Sequence, residues 1–271
     1  WRTYFWEKVM KKIVFYGGGN IAQANIKGLI SSGVKKQDIL YIDRNIKNKE
    51  ILNKIGIKEF SLEKKFDVEF FILAVKPKDA LSAYAEICIN YNKPKIISLV
   101  AGIKSKKYLS IANNAELIRG MPNTAAEFNK ANTALLNISS SNASFKKAKN
   151  IFSKVGIILE LDKESKMDDF TGLIGSGPAY FFYLLKVYEK RILKMCDGDI
   201  KKTNEIIGNL IEGVSLSSRN NLSMDELIET VASKKGTTEA GIKEFKSLKV
   251  LNSFEKGIIA AIKRSKEISN E

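Results

Sequence analysis

Lys11-Lys12-Ile13-Val14-Phe15-Tyr16-Gly17-Gly18-Gly19-Asn20-Ile21-Ala22 decides how the rest of the chain is read. A short apolar run enters three glycines. An amphipathic segment follows, with Ile21, Ala22, Ile26, Leu29 and Ile30 on one helical face. The physical reading is strand, tight turn, helix. Gly17 and Gly19 let the backbone turn sharply and approach a ligand, and Ala22 takes the third small position, where helix packs on strand. The first helical residues, Asn20 and Ile21, direct free N–H groups and a positive dipole end at the turn, whose usual occupant is a pyrophosphate. The pattern G-x-G-x-x-A is weak alone and gains weight between a strand and a helix. The alternative is a glycine-rich βα turn that holds no ligand.

The chain has 271 residues, 44% of them hydrophobic, which suffices for one or two packed domains. Its formal charge of +15 raises nucleic acid or an anionic membrane as partners. The lysines are spread over separate segments with no aromatic interleaving, so we expect a solvated surface, no nucleic acid and no membrane partner. Histidine is absent. That excludes Ser-His-Asp and Cys-His nucleophile systems, His-ligated zinc and His acid–base chemistry. Cys88 and Cys196 fit no metal or redox spacing, so no metal is expected and a reducing compartment is. No apolar run approaches the ~20 residues that span a bilayer, and the start resembles no signal or transit peptide. These features suggest a cytoplasmic protein. Met10-Lys11-Lys12 reads as a natural start, so residues 1–9 are set aside as an added leader.

The first half alternates strand and helix. Strands are expected at 38–42, 57–60, 68–75, 95–100, 116–119, 134–138 and 157–161, with helices at 47–55, 79–90 and up to about 155. Val68-Glu69-Phe70-Phe71-Ile72-Leu73-Ala74-Val75 is nearly all apolar, as a parallel strand covered on both faces is. The fold class is α/β: a Rossmann-type, doubly wound parallel sheet over residues 10–162. From 163 to 271 only helical periods remain, giving an all-helical second domain. In it, residues 178–195 are apolar nearly all round, which suits a subunit interface or the central helix of a monomer.

Such a fold binds its ligand at the carboxyl ends of its strands. One end is the Gly17–Gly19 turn. The next is Asp43-Arg44-Asn45, where an acid accepts from a ribose 2′-hydroxyl and an Arg pairs with a 2′-phosphate. Asp43 favours NAD and Arg44 favours NADP, with Lys47 nearby; we lean to NADP, with NAD as the second option. Ala74-Val75-Lys76-Pro77 offers backbone groups and a cation to the cofactor. Arg119-Gly120-Met121-Pro122-Asn123-Thr124 ends in a polar tip suited to a small substrate. Ser233-Lys234-Lys235-Gly236-Thr237-Thr238 combines hydroxyls with free N–H groups before a helix, which makes either a carboxylate site or an ordinary N-cap.

In order, Gly17–Ala22, Ala74–Pro77, Met121–Thr124, Thr171–Tyr180, Gly236–Gly241 and Ala260–Ser265 resemble the motifs of the pyrroline-5-carboxylate reductases over nearly the whole chain. Any one motif is weak; the ordered set is specific. The resemblance implies a helical domain that dimerises by interlocking helices, giving a homodimer or a larger ring such as a decamer. It implies reduction of the cyclic imine 1-pyrroline-5-carboxylate to L-proline with NAD(P)H. It assigns the hydrogen bond to the ring nitrogen to Thr238. The carboxylate falls to Ser233, Gly236 and Thr237, and Asn123 and Ser176 stand beside the substrate. The resemblance also implies a site completed across the dimer.

The chain departs from the family at several positions. Lys234-Lys235 replace a Pro-Gly pair in the substrate loop. Ile174 replaces a serine before Gly175-Ser176-Gly177-Pro178. Ala125 replaces a proline. Ser61 stands where an Asn commonly contacts the adenosine. Two other readings share the plan: a catalytically weak nucleotide-binding homologue, and a 3-hydroxyacid-type dehydrogenase that uses Lys186.

Overall fold

The computed structural model describes residues 12–63 and 67–270. The proposed start at Met10 lies outside them. The strands among the described residues are β1 (Lys12–Tyr16), β2 (Ile39–Ile42), β3 (Lys58–Glu59), β4 (Val68–Leu73), β5 (Lys95–Ser98), β6 (Glu116–Pro122), β7 (Ala131–Asn137) and β8 (Gly156–Glu160). They form one sheet in the order β3-β2-β1-β4-β5-β6-β7-β8. The helices of this half are α1 (Asn20–Ser31), α2 (Ile46–Ile55), α3 (Pro77–Asn90), α4 (Ser105–Ile111) and α5 (Asn142–Phe152).

Burial explains the winding. Ile13 and Phe15 face one side of the sheet and pack with Ile26 and Leu29 of α1, Leu52 of α2 and Phe152 of α5. Val14, between them, faces the other side, with Tyr84 and Ile87 of α3 and Tyr108 of α4. The central strands are therefore apolar on both faces, as a parallel sheet with two helical layers requires. The sheet is parallel at every pairing except β6 with β7. The doubly wound parallel sheet expected from the sequence is present, with this one antiparallel pairing added near its edge. The link from Pro122 to Ala131 holds only a short 3-10 turn, Thr124–Phe128, and a left-handed Asn129. A parallel crossover needs about a dozen residues or more.

Two further details differ from the sequence reading. Pro77 does more than stop β4: it takes an N1/N2 position of α3, where its missing N–H costs nothing. Helix α4 was not expected. It is short, and only Tyr108 in it is buried.

The second half is helical: α6 (Ser165–Phe170), a π-turn at Thr171–Gly175, α7 (Gly177–Met195), α8 (Ile200–Ser217), α9 (Met224–Val231), α10 (Thr237–Ser247) and α11 (Val250–Asn270). The chain divides into two compact units. The sheet unit holds the described residues through Gly175 and the chain from Ala261 onward. The helical unit is Ser176–Ala260. Within the sheet unit, Asp168 of α6 accepts from the hydroxyls of Ser265 (2.9 Å) and Ser269 (2.6 Å) on α11.

The helical unit buries almost nothing within one chain. Among the described residues, Phe170 is the last hydrophobic side chain that is buried. On α7, Phe182 is 69% and Val187 65% exposed. Within the helical unit, residues 178–195 therefore do not form a buried central helix.

Candidate functional site

A cleft of about 300 Å³ opens at the carboxyl ends of β1, β2 and β4. This is where the strand order reverses, the usual place for a ligand in an open α/β sheet. Backbone bonds tie the three ends together: Gly17 N–H donates to Ile42 O and Ala74 N–H to Tyr16 O, both at 2.8 Å. Gly17 has a φ of +106°, and a Cβ there would lie 2.5 Å from the Ala74 carbonyl oxygen. Both its conformation and its space demand glycine.

Gly19 is the N-cap of α1, and no side chain caps the helix. A Cβ on Gly19 would meet nothing within 4 Å. The first turn, Asn20-Ile21-Ala22, thus presents N–H groups without a side-chain acceptor beside an open cleft. These residues fit a pyrophosphate.

The second strand end separates two roles. Asp43 is turned inward. Its carboxylate accepts from Gly18 N–H at 2.5 Å, Asn45 N–H at 2.6 Å and the Asn48 side-chain amide at 2.9 Å. It clamps the glycine turn onto the start of α2, which Asn45 caps by accepting from Asn48 N–H. Arg44 is turned outward: its side chain is 87% exposed and its Nη2 lies 3.2 Å from Asp79 Oδ1.

The cleft also gathers Ala74, Val75 and Lys76. Pro77 begins the adjoining α3. Ser61 is half-buried after β3 and does not line the cleft. Lys47 is exposed on α2, also outside it. The lining includes residues the sequence reading missed: Tyr16, Asn48, Lys78, Asp79 and Ser82. Lys78, Asp79 and Ser82 share one stretch of α3, so helical spacing from the Ala-Val-Lys-Pro motif was the available signal. The Tyr16 hydroxyl donates to Glu86. Burial, reinforced by the Glu86 carboxylate, raises the Tyr16 pKa and keeps the phenol protonated.

Asn123, at the end of β6, is buried; its Oδ1 accepts from Asn132 N–H at 3.3 Å and braces the β6–β7 connection. Its strand is held by Arg119, whose Nη1 pairs with Glu164 at 2.8 Å and whose Nη2 donates to Val100 O. Glu164 also accepts from the N–H and hydroxyl of Ser105. Burial pushes the Glu164 carboxyl up, but Ser105 and Arg119 outweigh it and hold the group below its usual range.

In the helical unit, Ser176 is the N-cap of α7 and makes no side-chain cap bond. The loop before α10 is a tight turn: Gly236 N–H donates to Ser233 O at 3.0 Å. Lys235 N–H donates to the Glu239 carboxylate at 2.5 Å. Helix α10 starts at Thr237, and no side chain caps it. The hydroxyls of Ser233, Thr237 and Thr238 have no partner among the described residues, and Thr238 is half-buried. Lys235 has a φ of +60°. A lysine thus holds a left-handed position that suits glycine, at a cost of about 1 kcal/mol.

Residues 12–102 match the family described as NADP oxidoreductase coenzyme F420-dependent. Residues 164–268 match that described as pyrroline-5-carboxylate reductase dimerisation. With the sheet that carries the cleft, these matches define the class: an NAD(P)H-dependent oxidoreductase with a Rossmann-type sheet unit and a helical dimerisation region. The pyrroline-5-carboxylate reductase of Staphylococcus epidermidis is 32% identical over 275 residues, covering 96% of this chain and 98% of that protein. A solved pyrroline-5-carboxylate reductase from Coxiella burnetii superposes with a TM-score of 0.82 at 25% identity, covering 96% of this chain and 98% of its own. A Plasmodium falciparum pyrroline carboxylate reductase, solved with NADP bound, shares the fold at a TM-score of 0.84 and 22% identity, with 96% and 98% covered. The chain belongs to the pyrroline-5-carboxylate reductase family.

Proposed function

We propose that this protein reduces 1-pyrroline-5-carboxylate to L-proline, the last step of proline biosynthesis, with NADPH as preferred donor and NADH as the second. The observation that carries this reading is the uncapped start of α10. It presents Gly236-Thr237-Thr238 with unpartnered hydroxyls in a chain whose sheet unit carries a dinucleotide cleft.

A histidine-free chain suits this reaction. A protonated cyclic imine already accepts hydride, so the protein's task is alignment and exclusion of water. When bound, the nicotinamide supplies the hydride. Gly17, Gly19 and the first turn of α1 bind the pyrophosphate. Asp43 holds that turn in shape, and Asn45 sets the start of α2. Ala74, Val75, Lys76 and Pro77 form the cofactor wall. Ser233, Gly236 and Thr237 bind the substrate carboxylate, favoured by the positive end of α10. Thr238 hydrogen-bonds the ring nitrogen, and Asn123 and Ser176 bound the substrate space. The NADPH preference rests on the division of labour at β2: Asp43 is engaged by three protein donors, which leaves Arg44 to read a 2′-phosphate.

Residues 163–271 form the dimerisation and substrate domain in this reading. The apolar surface of α7 is covered by a second copy, in a homodimer or a larger ring up to a decamer. No helix among the described residues is long and apolar enough to cross a membrane, and we place the enzyme in the cytoplasm. The test is oxidation of NADPH and NADH in the presence of 1-pyrroline-5-carboxylate. Turnover with both, faster with NADPH, is expected; a folded oligomer that turns over neither contradicts the proposal.

A further inference from the structure

We propose that Asp79 is a specificity-determining residue of the nucleotide cleft: a built-in anion that holds the Arg44 guanidinium when no 2′-phosphate is present and competes with that phosphate for it. The inference rests on the reading of Arg44 given above. Asp79 lies in the first turn of α3, where the helix dipole favours a carboxylate. Its Oδ1 stands 3.2 Å from Arg44 Nη2, and both residues line the cleft. The pair is exposed on the Arg44 side, so it is weak and yields to a dianion. Asp43 does not take this part, because its two oxygens already serve Gly18, Asn45 and Asn48. A nucleotide with a 2′-phosphate must therefore displace Asp79 from Arg44 and meet its negative charge. A nucleotide with a 2′-hydroxyl leaves the pair intact. Asp79 narrows the preference that Arg44 creates.

The experiment is calorimetric titration of the full chain and of Asp79→Asn with NADP⁺, NAD⁺, 2′,5′-ADP and 5′-ADP. Asparagine keeps the side-chain shape and the helix start. The two ligands with a 2′-phosphate should bind about fivefold tighter to the variant. NAD⁺ and 5′-ADP should change by less than about twofold. In an Arg44→Ala background the gain should shrink, since the guanidinium under competition is gone. Equal shifts for all four ligands, weaker binding of the 2′-phosphates, or a gain undiminished by Arg44→Ala would overturn the inference. The arms separate the two levels. If Arg44→Ala leaves the NADP⁺/NAD⁺ affinity ratio unchanged, the reading of Arg44 falls and this inference with it. If Arg44→Ala lowers the ratio while Asp79→Asn leaves it alone, only the role of Asp79 falls.

Discussion

Phe15 in the sheet unit and Phe182 in the helical unit are the same side chain with opposite fates. Phe15 is fully buried between α-helices and sheet; Phe182 is 69% exposed on α7. The contrast extends to the units as wholes. The sheet unit closes two apolar layers around its strands. The helical unit leaves Phe181, Tyr183, Val187, Val214 and Leu216 in solvent. At about 25 cal/mol per Å² of apolar surface, such exposure forfeits several kcal/mol that a second copy recovers. In the function proposed here, a nucleotide completes the first unit and a second copy of the chain completes the other.

Substitutions at four positions test whether the two units differ in this way. Phe182→Glu places a charge on the surface assigned to the partner copy. Sedimentation should show dissociation to monomers and activity should be lost, while calorimetry still detects NADP⁺ binding. A variant that stays oligomeric would remove α7 from the interface. Gly17→Ala strikes the other unit. It should cost about 3 kcal/mol of stability in denaturant unfolding and abolish nucleotide binding without changing the association state. Retained nucleotide affinity would mean that the turn is not the phosphate cradle. Thr238→Ala should lower kcat about a hundredfold at unchanged cofactor affinity, with Thr238→Ser recovering most of it. Unchanged kinetics would take Thr238 out of the reaction. Lys235→Gly should raise the unfolding free energy by about 1 kcal/mol, because it relieves a left-handed lysine. Destabilisation instead would mean that the lysine side chain supports the loop.

The sequence reveals the fold where physics acts locally. Val68 to Leu73 is legible as a strand because a doubly covered parallel strand has no polar face to hide. The glycine turn is legible because few other structures need three glycines between strand and helix. Helix α4 is not legible, since seven residues with one buried anchor carry no period. The antiparallel β7 is set by the length of its link, a property of the connection rather than of the strand. At the site, Asp43 and Arg44 look equivalent as neighbours in sequence. Their opposite directions follow from the Gly18, Asn45 and Asn48 donors that claim Asp43. Asp79 reads as an ordinary first-turn acid of α3, and its place opposite Arg44 exists only once α3 packs beside β1 and β4.

The reaction proposed for this chain is hydride transfer from a bound nicotinamide nucleotide to a cyclic imine. The deciding measurement uses NADPH carrying two deuteriums at C4 of the nicotinamide, with 1-pyrroline-5-carboxylate as acceptor and the product followed by mass spectrometry and NMR. One deuterium should appear on Cδ of L-proline, the carbon next to the ring nitrogen that does not carry the carboxylate, in step with NADPH oxidation. Oxidation of NADPH without labelled proline, or no oxidation by the intact oligomer, would contradict it.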